Sequence, residues 1–75
     1  MATFDQIENA FNANFMQRSG PGKRAKLEDL KEGNFRATFN GKSTEFPVPQ
    51  TATAMQLIGI TQMPAERLWQ AVIKK

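Results

Sequence analysis

One segment decides the fold of this chain: NFRATFNGKSTEF, residues 34–46. Asn40-Gly41 near its centre predicts a two-residue type I′ turn, because both central positions of that turn need φ > 0. Closing a hairpin on this turn fixes the register of two strands. The predicted cross-strand pairs are Phe39–Lys42, Thr38–Ser43, Ala37–Thr44, Arg36–Glu45 and Phe35–Phe46.

The two faces of this hairpin differ in polarity, because successive side chains point to opposite faces of a strand. One of them, the aromatic face, carries Phe35, Ala37, Phe39, Thr44 and Phe46, with Lys42 at its tip. The polar face carries Arg36, Thr38, Ser43 and Glu45. A two-stranded ribbon is marginal in water on its own, so the rest of the chain must cover the aromatic face.

The composition favours a small binding protein over an enzyme. The chain has 75 residues, 40% of them hydrophobic, which is enough for a single domain, 1–75, with a modest core. It has no cysteine and no histidine, so it lacks the residues of disulfides, of thiolate or imidazole metal sites and of His- or Cys-based catalysis. We therefore expect no enzymatic activity, no metal and no cofactor.

The charge pattern favours an anionic partner. The formal net charge is +3, and Arg18, Lys23, Arg24 and Lys26 follow one another with no acid between them. No segment approaches the roughly 18 apolar residues of a membrane span, and the N-terminal residues lack the pattern of a secretory signal. We expect a soluble, cytoplasmic protein with no membrane partner.

The N-terminal residues predict a helix over about residues 4–17. Thr3 is suited to the N-cap, and Gln6 completes a capping box with it. Its buried stripe is formed by Phe4, Ile7, Phe11 and Phe15 at three- and four-residue steps. We expect its asparagines, Asn9, Asn12 and Asn14, to lie on the surface. Ser19-Gly20-Pro21-Gly22 ends the helix.

The segment before the hairpin has a weaker pattern. Lys23–Lys26 lacks the spacing of a phosphate-binding loop and is predicted to be a solvated basic linker. Leu27 and Leu30, surrounded by charged residues and followed by Gly33, predict about two turns of a second helix. Both leucines are expected to point to the core.

The C-terminal third predicts two further helices. Pro47 and Pro49 end the second strand. Thr51 or Thr53 caps a short helix that Gly59 ends, and Thr61 caps a last helix with Pro64 in its first turn. Trp69 falls in the buried stripe of the last helix. The fold class is therefore α+β: one or more N-terminal helices, a hairpin at about 34–39 and 42–47, and two C-terminal helices packed on it.

Residues 53–72, read as helix, turn and helix, resemble a DNA-binding helix-turn-helix unit. Gly59 and Ile60 match the turn, and Ile58, Ala65 and Leu68 fall at apolar positions of the motif. Met55 replaces the small residue usual at the helix contact, and Pro64 falls early in the recognition helix. The alternative is two amphipathic helices that only close the core over the hairpin.

These observations predict a small nucleic-acid-binding or transcription-regulating protein. Its predicted binding residues are Arg18, Lys23, Arg24, Lys26, Gln62, Arg67, Gln70, Lys74 and Lys75. The alternative is a compact protein-interaction module, such as an inhibitor or adaptor encoded by a phage or mobile element, that binds a larger cellular protein. A homo-oligomer joined through the hairpin edges is a further possibility.

Overall fold

A computed structural model describes residues 3–20 and 22–73 of the chain. Within these ranges the order of elements is α1 (Phe4–Ser19), β1 (Lys26–Lys31), β2 (Asn34–Phe39), β3 (Lys42–Pro47) and α2 (Ala54–Ile73). The strands form an antiparallel sheet in the order β1-β2-β3, and both helices contribute to the hydrophobic core on one face of this sheet. The small α+β fold is confirmed, although its elements differ in part from the prediction.

The hairpin of β2 and β3 is confirmed in its register. All five predicted pairs are present, from Phe39–Lys42 to Phe35–Phe46. Asn40 and Gly41 have φ of 54° and 81°, as the type I′ turn requires. Phe35, Ala37 and Phe46 are buried, while Phe39 and Thr44 are half-buried on the same face.

The predicted second helix is wrong, because residues 26–31 form the edge strand β1. Lys26 pairs with Thr38, and Leu27 pairs with Ala37. Leu27 is buried on the aromatic face, whereas Leu30 is half-buried, since residues three apart in a strand point to opposite faces. The hairpin therefore supplies the central strand, β2, and one edge strand, β3, of a three-stranded sheet.

The turn between β1 and β2 has an unusual backbone. Lys31, Glu32 and Gly33 all have positive φ, of 71°, 57° and 79°, next to a register shift between Asp29 and Lys31. Asp29 Oδ1 accepts a hydrogen bond from the Lys31 amide at 2.7 Å. Positive φ is unfavourable for side chains other than Gly, Asn and Asp, so Lys31 and Glu32 are strained.

Helix α1 covers the aromatic face. The capping box of Thr3 and Gln6 is confirmed, and the helix extends to Ser19, two residues beyond the predicted end. Phe11 is fully buried and stacks on Phe46, with 5.5 Å between ring centroids. Phe15 is also fully buried and meets Phe39 edge-on at 5.1 Å. Such aromatic pairs add to the free energy gained by area burial.

Two asparagines that were expected on the surface are buried in α1. Asn12 Oδ1 accepts from the Ala25 amide at 2.7 Å, and Asn12 Nδ2 donates to the Ala25 carbonyl at 3.2 Å. Asn14 Nδ2 donates to the Ile58 carbonyl at 2.8 Å and to Thr61 Oγ1 at 2.9 Å. Because a buried polar group must find a partner, these contacts fix α1 to both β1 and α2.

The two predicted C-terminal helices are one continuous helix, α2, so the predicted break at Gly59 is wrong. The capping pair is Thr53 and Gln56, and Thr61 is a buried residue in the middle of α2 instead of a cap. Gly within a helix costs about 1 kcal/mol relative to Ala. Burial of Leu57 before Gly59 and of Leu68 after it outweighs that cost.

Trp69 packs against the core, as the stripe predicted. It is half-buried on α2, and its ring meets Phe15 edge-on with 6.1 Å between centroids. Pro64 is buried within α2 and not in a first turn. The helix-turn-helix interpretation is therefore wrong in its architecture, because residues 53–72 contain no interhelical turn.

Asn12 is expected to be essential for stability. Asn12→Ala leaves the buried amide and carbonyl of Ala25 without partners, and should lower the free energy of unfolding by about 2–3 kcal/mol in urea denaturation. Asn9→Ala, on the exposed side of the same helix, is the matched control and should change it by at most about 0.5 kcal/mol. Equal effects of the two substitutions would contradict this role of Asn12.

The two tight turns should respond oppositely to exchanged residues. Glu32→Asn places a residue that tolerates positive φ at 57° and should stabilise the protein by about 0.5–1 kcal/mol. Asn40→Glu places glutamate, which tolerates positive φ less well than asparagine, at a φ of 54°. This substitution should destabilise the protein by a similar amount. Thermal unfolding of both variants measures the signs, and the same sign for both would refute the strain at Glu32.

Candidate functional site

Five of the eight basic residues in the described ranges lie where several elements meet at one end of the sheet. Phe15 of α1 lies over Phe39, the last residue of β2, so the C-terminal end of α1 is at this end. Lys26 opens β1 opposite Thr38, and Lys42 opens β3 opposite Phe39. The loop from α1 to β1 returns along the same end.

Five bases surround this end and are called the basic end: Arg18, Lys23, Arg24, Lys26 and Lys42. Four of them were predicted from the clustered sequence. Lys42 was not, although the hairpin register already placed it at the tip of the aromatic face. Lys23, Arg24, Lys26 and Lys42 are exposed, and Arg18 is half-buried.

The loop that carries Lys23 and Arg24 is held by hydrogen bonds to α1. Ser19 Oγ is buried and lies 3.2 Å from the Lys23 carbonyl. Arg24 Nη2 reaches Asn9 Oδ1 at 3.5 Å, and Asn12 binds the backbone of Ala25. This loop was predicted to be a solvated linker, but its backbone is anchored on both sides of its two bases.

Acidic residues predominate at the opposite end of the sheet. Asp5 is in the first turn of α1, and Asp29 and Glu32 flank the turn from β1 to β2. In the described residues, the ion pairs join Arg36 to Glu28 at 3.5 Å and to Glu45 at 3.2 Å, so no base of the basic end is paired with an acid. Arg18 Nη1 donates to the Asn14 carbonyl at 3.0 Å and Arg24 Nη2 reaches Asn9, so the exposed lysines Lys23, Lys26 and Lys42 are the charges most open to a ligand.

The remaining predicted binding residues in the described chain all lie on α2. Gln62 and Gln70 are exposed on α2, together with Glu66. Arg67 is also on α2, but its Nη2 donates to the Glu45 carbonyl of β3 at 3.2 Å. Lys74 and Lys75 lie outside the described residues.

The contact of Arg67 has a structural role at the edge of the sheet. In a two-residue hairpin the residues next to the turn form a hydrogen-bonded pair, so Ser43 and Glu45 direct their backbone groups away from β2. Arg67 occupies the carbonyl of Glu45, and Pro47 has no amide to offer. The other edge of the predicted hairpin is paired with β1. The hairpin edges are therefore less free than expected.

The charge of Arg36 on the solvent face of the sheet is outnumbered by those of two acids. Arg36 lies between Glu28 and Glu45, one acid on each neighbouring strand. Both pairs are exposed, so each contributes at most about 1 kcal/mol. With its charges paired, this face gives little attraction to an anion.

Other kinds of site find little support in the described residues. They contain no group of three or more acidic, histidine or cysteine residues that could hold a metal ion. Within 3–20 and 22–73, no helix is long and apolar enough to cross a membrane. Comparison with protein-family models, curated proteins and solved structures found no match.

Proposed function

We propose that this protein binds nucleic acid by contacting phosphates with its basic end. The proposal depends on one observation: five bases from α1, the following loop, β1 and β3 meet at one end of the sheet, and none is in an ion pair there. Unpaired lysines and arginines are the groups that bind phosphates. The acids at the opposite end would orient the molecule toward a polyanion during approach.

The spacing of the strands suits contact with several phosphates. Lys26 and Lys42 are on strands separated by β2, so their Cα atoms are roughly 10 Å apart at about 4.8 Å per strand. Phosphates of one DNA strand advance by about 3.4 Å along the helix axis. Lys26 pairs with Thr38 of the polar face and Lys42 with Phe39 of the aromatic face, so the two ammonium groups project to opposite sides of this end of the sheet and would contact different phosphates.

The proposed contacts are with the backbone of the nucleic acid and not with base edges. A groove-reading helix usually presents its N-terminal residues after a turn, whereas Gln62, Arg67 and Gln70 lie within the continuous helix α2. Arg67 is already engaged with Glu45, and Glu66 would repel phosphates. Backbone contacts position a protein but carry little sequence information, so weak sequence preference is expected.

The structure weakens one reason for the alternative function, a protein-interaction module. It depended partly on free hairpin edges, and these are occupied by β1 on one side and restricted by Arg67 and Pro47 on the other. The basic end gives the nucleic-acid proposal a compact surface of one charge sign. For this reason we prefer it.

Salt dependence of binding is the direct test. Fluorescence anisotropy with a labelled 25-base-pair DNA duplex, measured from about 20 to 200 mM KCl, should give a log–log slope near −0.9 per phosphate contact. Lys26→Gln with Lys42→Gln should weaken binding at every salt concentration and reduce the slope by about 2. The same titration with an RNA duplex of equal length and with single-stranded DNA shows which form of nucleic acid the protein prefers.

Two substitutions outside the basic end serve as controls. Lys31→Gln removes the same charge at the opposite end of the sheet, and Arg67→Met removes a charge that is engaged with Glu45. Neither should change the slope by more than about 0.3. The proposal is refuted if no nucleic acid binds at about 20 mM KCl, or if Lys31→Gln weakens binding as much as the loss of either lysine at the basic end.

A further inference from the structure

Two aromatic rings reach the surface beside the basic end. Phe39 and Trp69 both pack against Phe15, with 5.1 Å and 6.1 Å between ring centroids, so their own centroids lie within about 11 Å of each other. Phe15 is fully buried, whereas Phe39 and Trp69 are each half-buried. The two rings therefore extend from the core to the solvent at one place on the molecule.

Bases lie next to these rings. Lys42 is the cross-strand neighbour of Phe39, so its exposed side chain leaves the same face of the sheet. Arg18 follows Phe15 by three residues on α1, a spacing that places both residues on one side of the helix. Partly exposed rings bordered by positive charge are the combination that binds single-stranded nucleic acid, because rings stack on bases while the cations contact phosphates.

An exposed ring alone does not make such a surface. Phe4, in the first turn of α1, is 38% exposed, and its ring centroid is 6.2 Å from that of Phe35. It belongs to the acidic end, where Asp5, Asp29 and Glu32 would repel a phosphate. The aromatic residues of the two ends therefore differ in the charge around them, and only those at the basic end suit a polyanion.

We propose that Phe39 and Trp69 form a stacking surface for unpaired bases, which makes single-stranded nucleic acid the preferred ligand of the basic end. This inference rests on the proposed function, because the lysines must hold the phosphates while the rings meet the bases. In a duplex the bases are stacked on one another and their faces are closed to side chains, so a duplex has only the phosphate contacts.

The charges around the two rings give the bound strand a direction. Glu66 is exposed on α2 and precedes Trp69 by three residues, so it lies on the same side of the helix. It repels the phosphate of a nucleotide stacked on Trp69, whereas Lys42 attracts the phosphate of one stacked on Phe39. The strand is therefore expected to pass from Trp69 over Phe39 toward the basic end.

The fluorescence of Trp69 tests the stacking directly, because the chain has one tryptophan and no tyrosine. An oligothymidylate of about 15 nucleotides, added at about 20 mM KCl, should quench this emission in step with its binding. An abasic strand of the same length keeps the phosphates and lacks the bases. It should bind at least about fivefold more weakly and leave the emission unchanged. Equal quenching by the two strands would overturn the proposal.

Substitution of one ring tests the surface by affinity. Phe39→Leu keeps an apolar contact with Phe15 and removes the ring, so it should weaken binding of the oligothymidylate at least about fivefold and binding of a duplex less than about twofold. Phe4→Leu, the same exchange at the acidic end, is the matched control and should change neither affinity. Equal losses for both ligands, or a loss for Phe4→Leu as large as for Phe39→Leu, would contradict the stacking.

A graded pair at the second ring separates stacking from a role in the fold. Trp69→Leu should weaken binding of the oligothymidylate at least about fivefold, and Trp69→Phe, which retains a ring, should recover most of that loss. Equal affinities of these two variants would overturn a stacking role of Trp69.

The two proposals fail separately. If the duplex and the abasic strand bind as tightly as the oligothymidylate and Trp69 emission stays constant, phosphate binding stands and the stacking surface is refuted. If no nucleic acid binds at about 20 mM KCl, the proposed function is refuted and the stacking surface with it.

Discussion

Burial of the aromatic face is the constraint on which the rest of this structure depends. Phe35 and Phe46 project from adjacent strands of a thin sheet, and only a helical layer can remove them from water. Helix α1 meets this requirement with Phe11 and Phe15, and α2 packs beside it. Both helices then lie on one side of the sheet, which leaves the opposite face and both ends of the sheet available for charged residues.

Buried asparagines hold this layer in register. Asn12 substitutes for a neighbouring strand by pairing with both backbone groups of Ala25. Asn14 joins α1 to α2 through Thr61 and the Ile58 carbonyl. Apolar contact alone is not directional, whereas these hydrogen bonds are, so they determine where β1 starts and how α2 lies beside α1. The bases of the loop between α1 and β1 owe their position to the same contacts.

Local sequence signals predicted the elements whose determinants are close together in the chain. Asn40-Gly41 was sufficient for the register of β2 and β3, and the capping box with the phenylalanine spacing was sufficient for α1. The sequence predicted about two turns of helix around Leu27 and Leu30, because the spacing of these leucines also fits a helix. Their strand conformation depends on pairing with β2, which no local pattern reveals. Gly59 predicted a helix break for a similar reason. Its helix propensity is low, but burial of residues on both sides of it stabilises the continuous helix.

The candidate site was predictable to a similar degree. The run of bases from Arg18 to Lys26 was visible in the sequence, but its meeting with Lys42 depends on the strand order. The residues chosen on α2 relied on a turn that the chain does not form, and Arg67 proved to contact the edge of β3. Polar asparagines gave no sign of burial, because their partners are backbone groups distant in sequence.

An NMR titration with duplex nucleic acid tests the central claim most directly, since it reports which surface is contacted. Amide shifts should change at residues 18–20, 22–26 and 38–43, where α1, the loop and the strand ends meet. Residues 5–8 and 29–33, at the acidic end, should remain unchanged. Shift changes centred on residues 55–66 of α2, or none at low salt, would contradict the account.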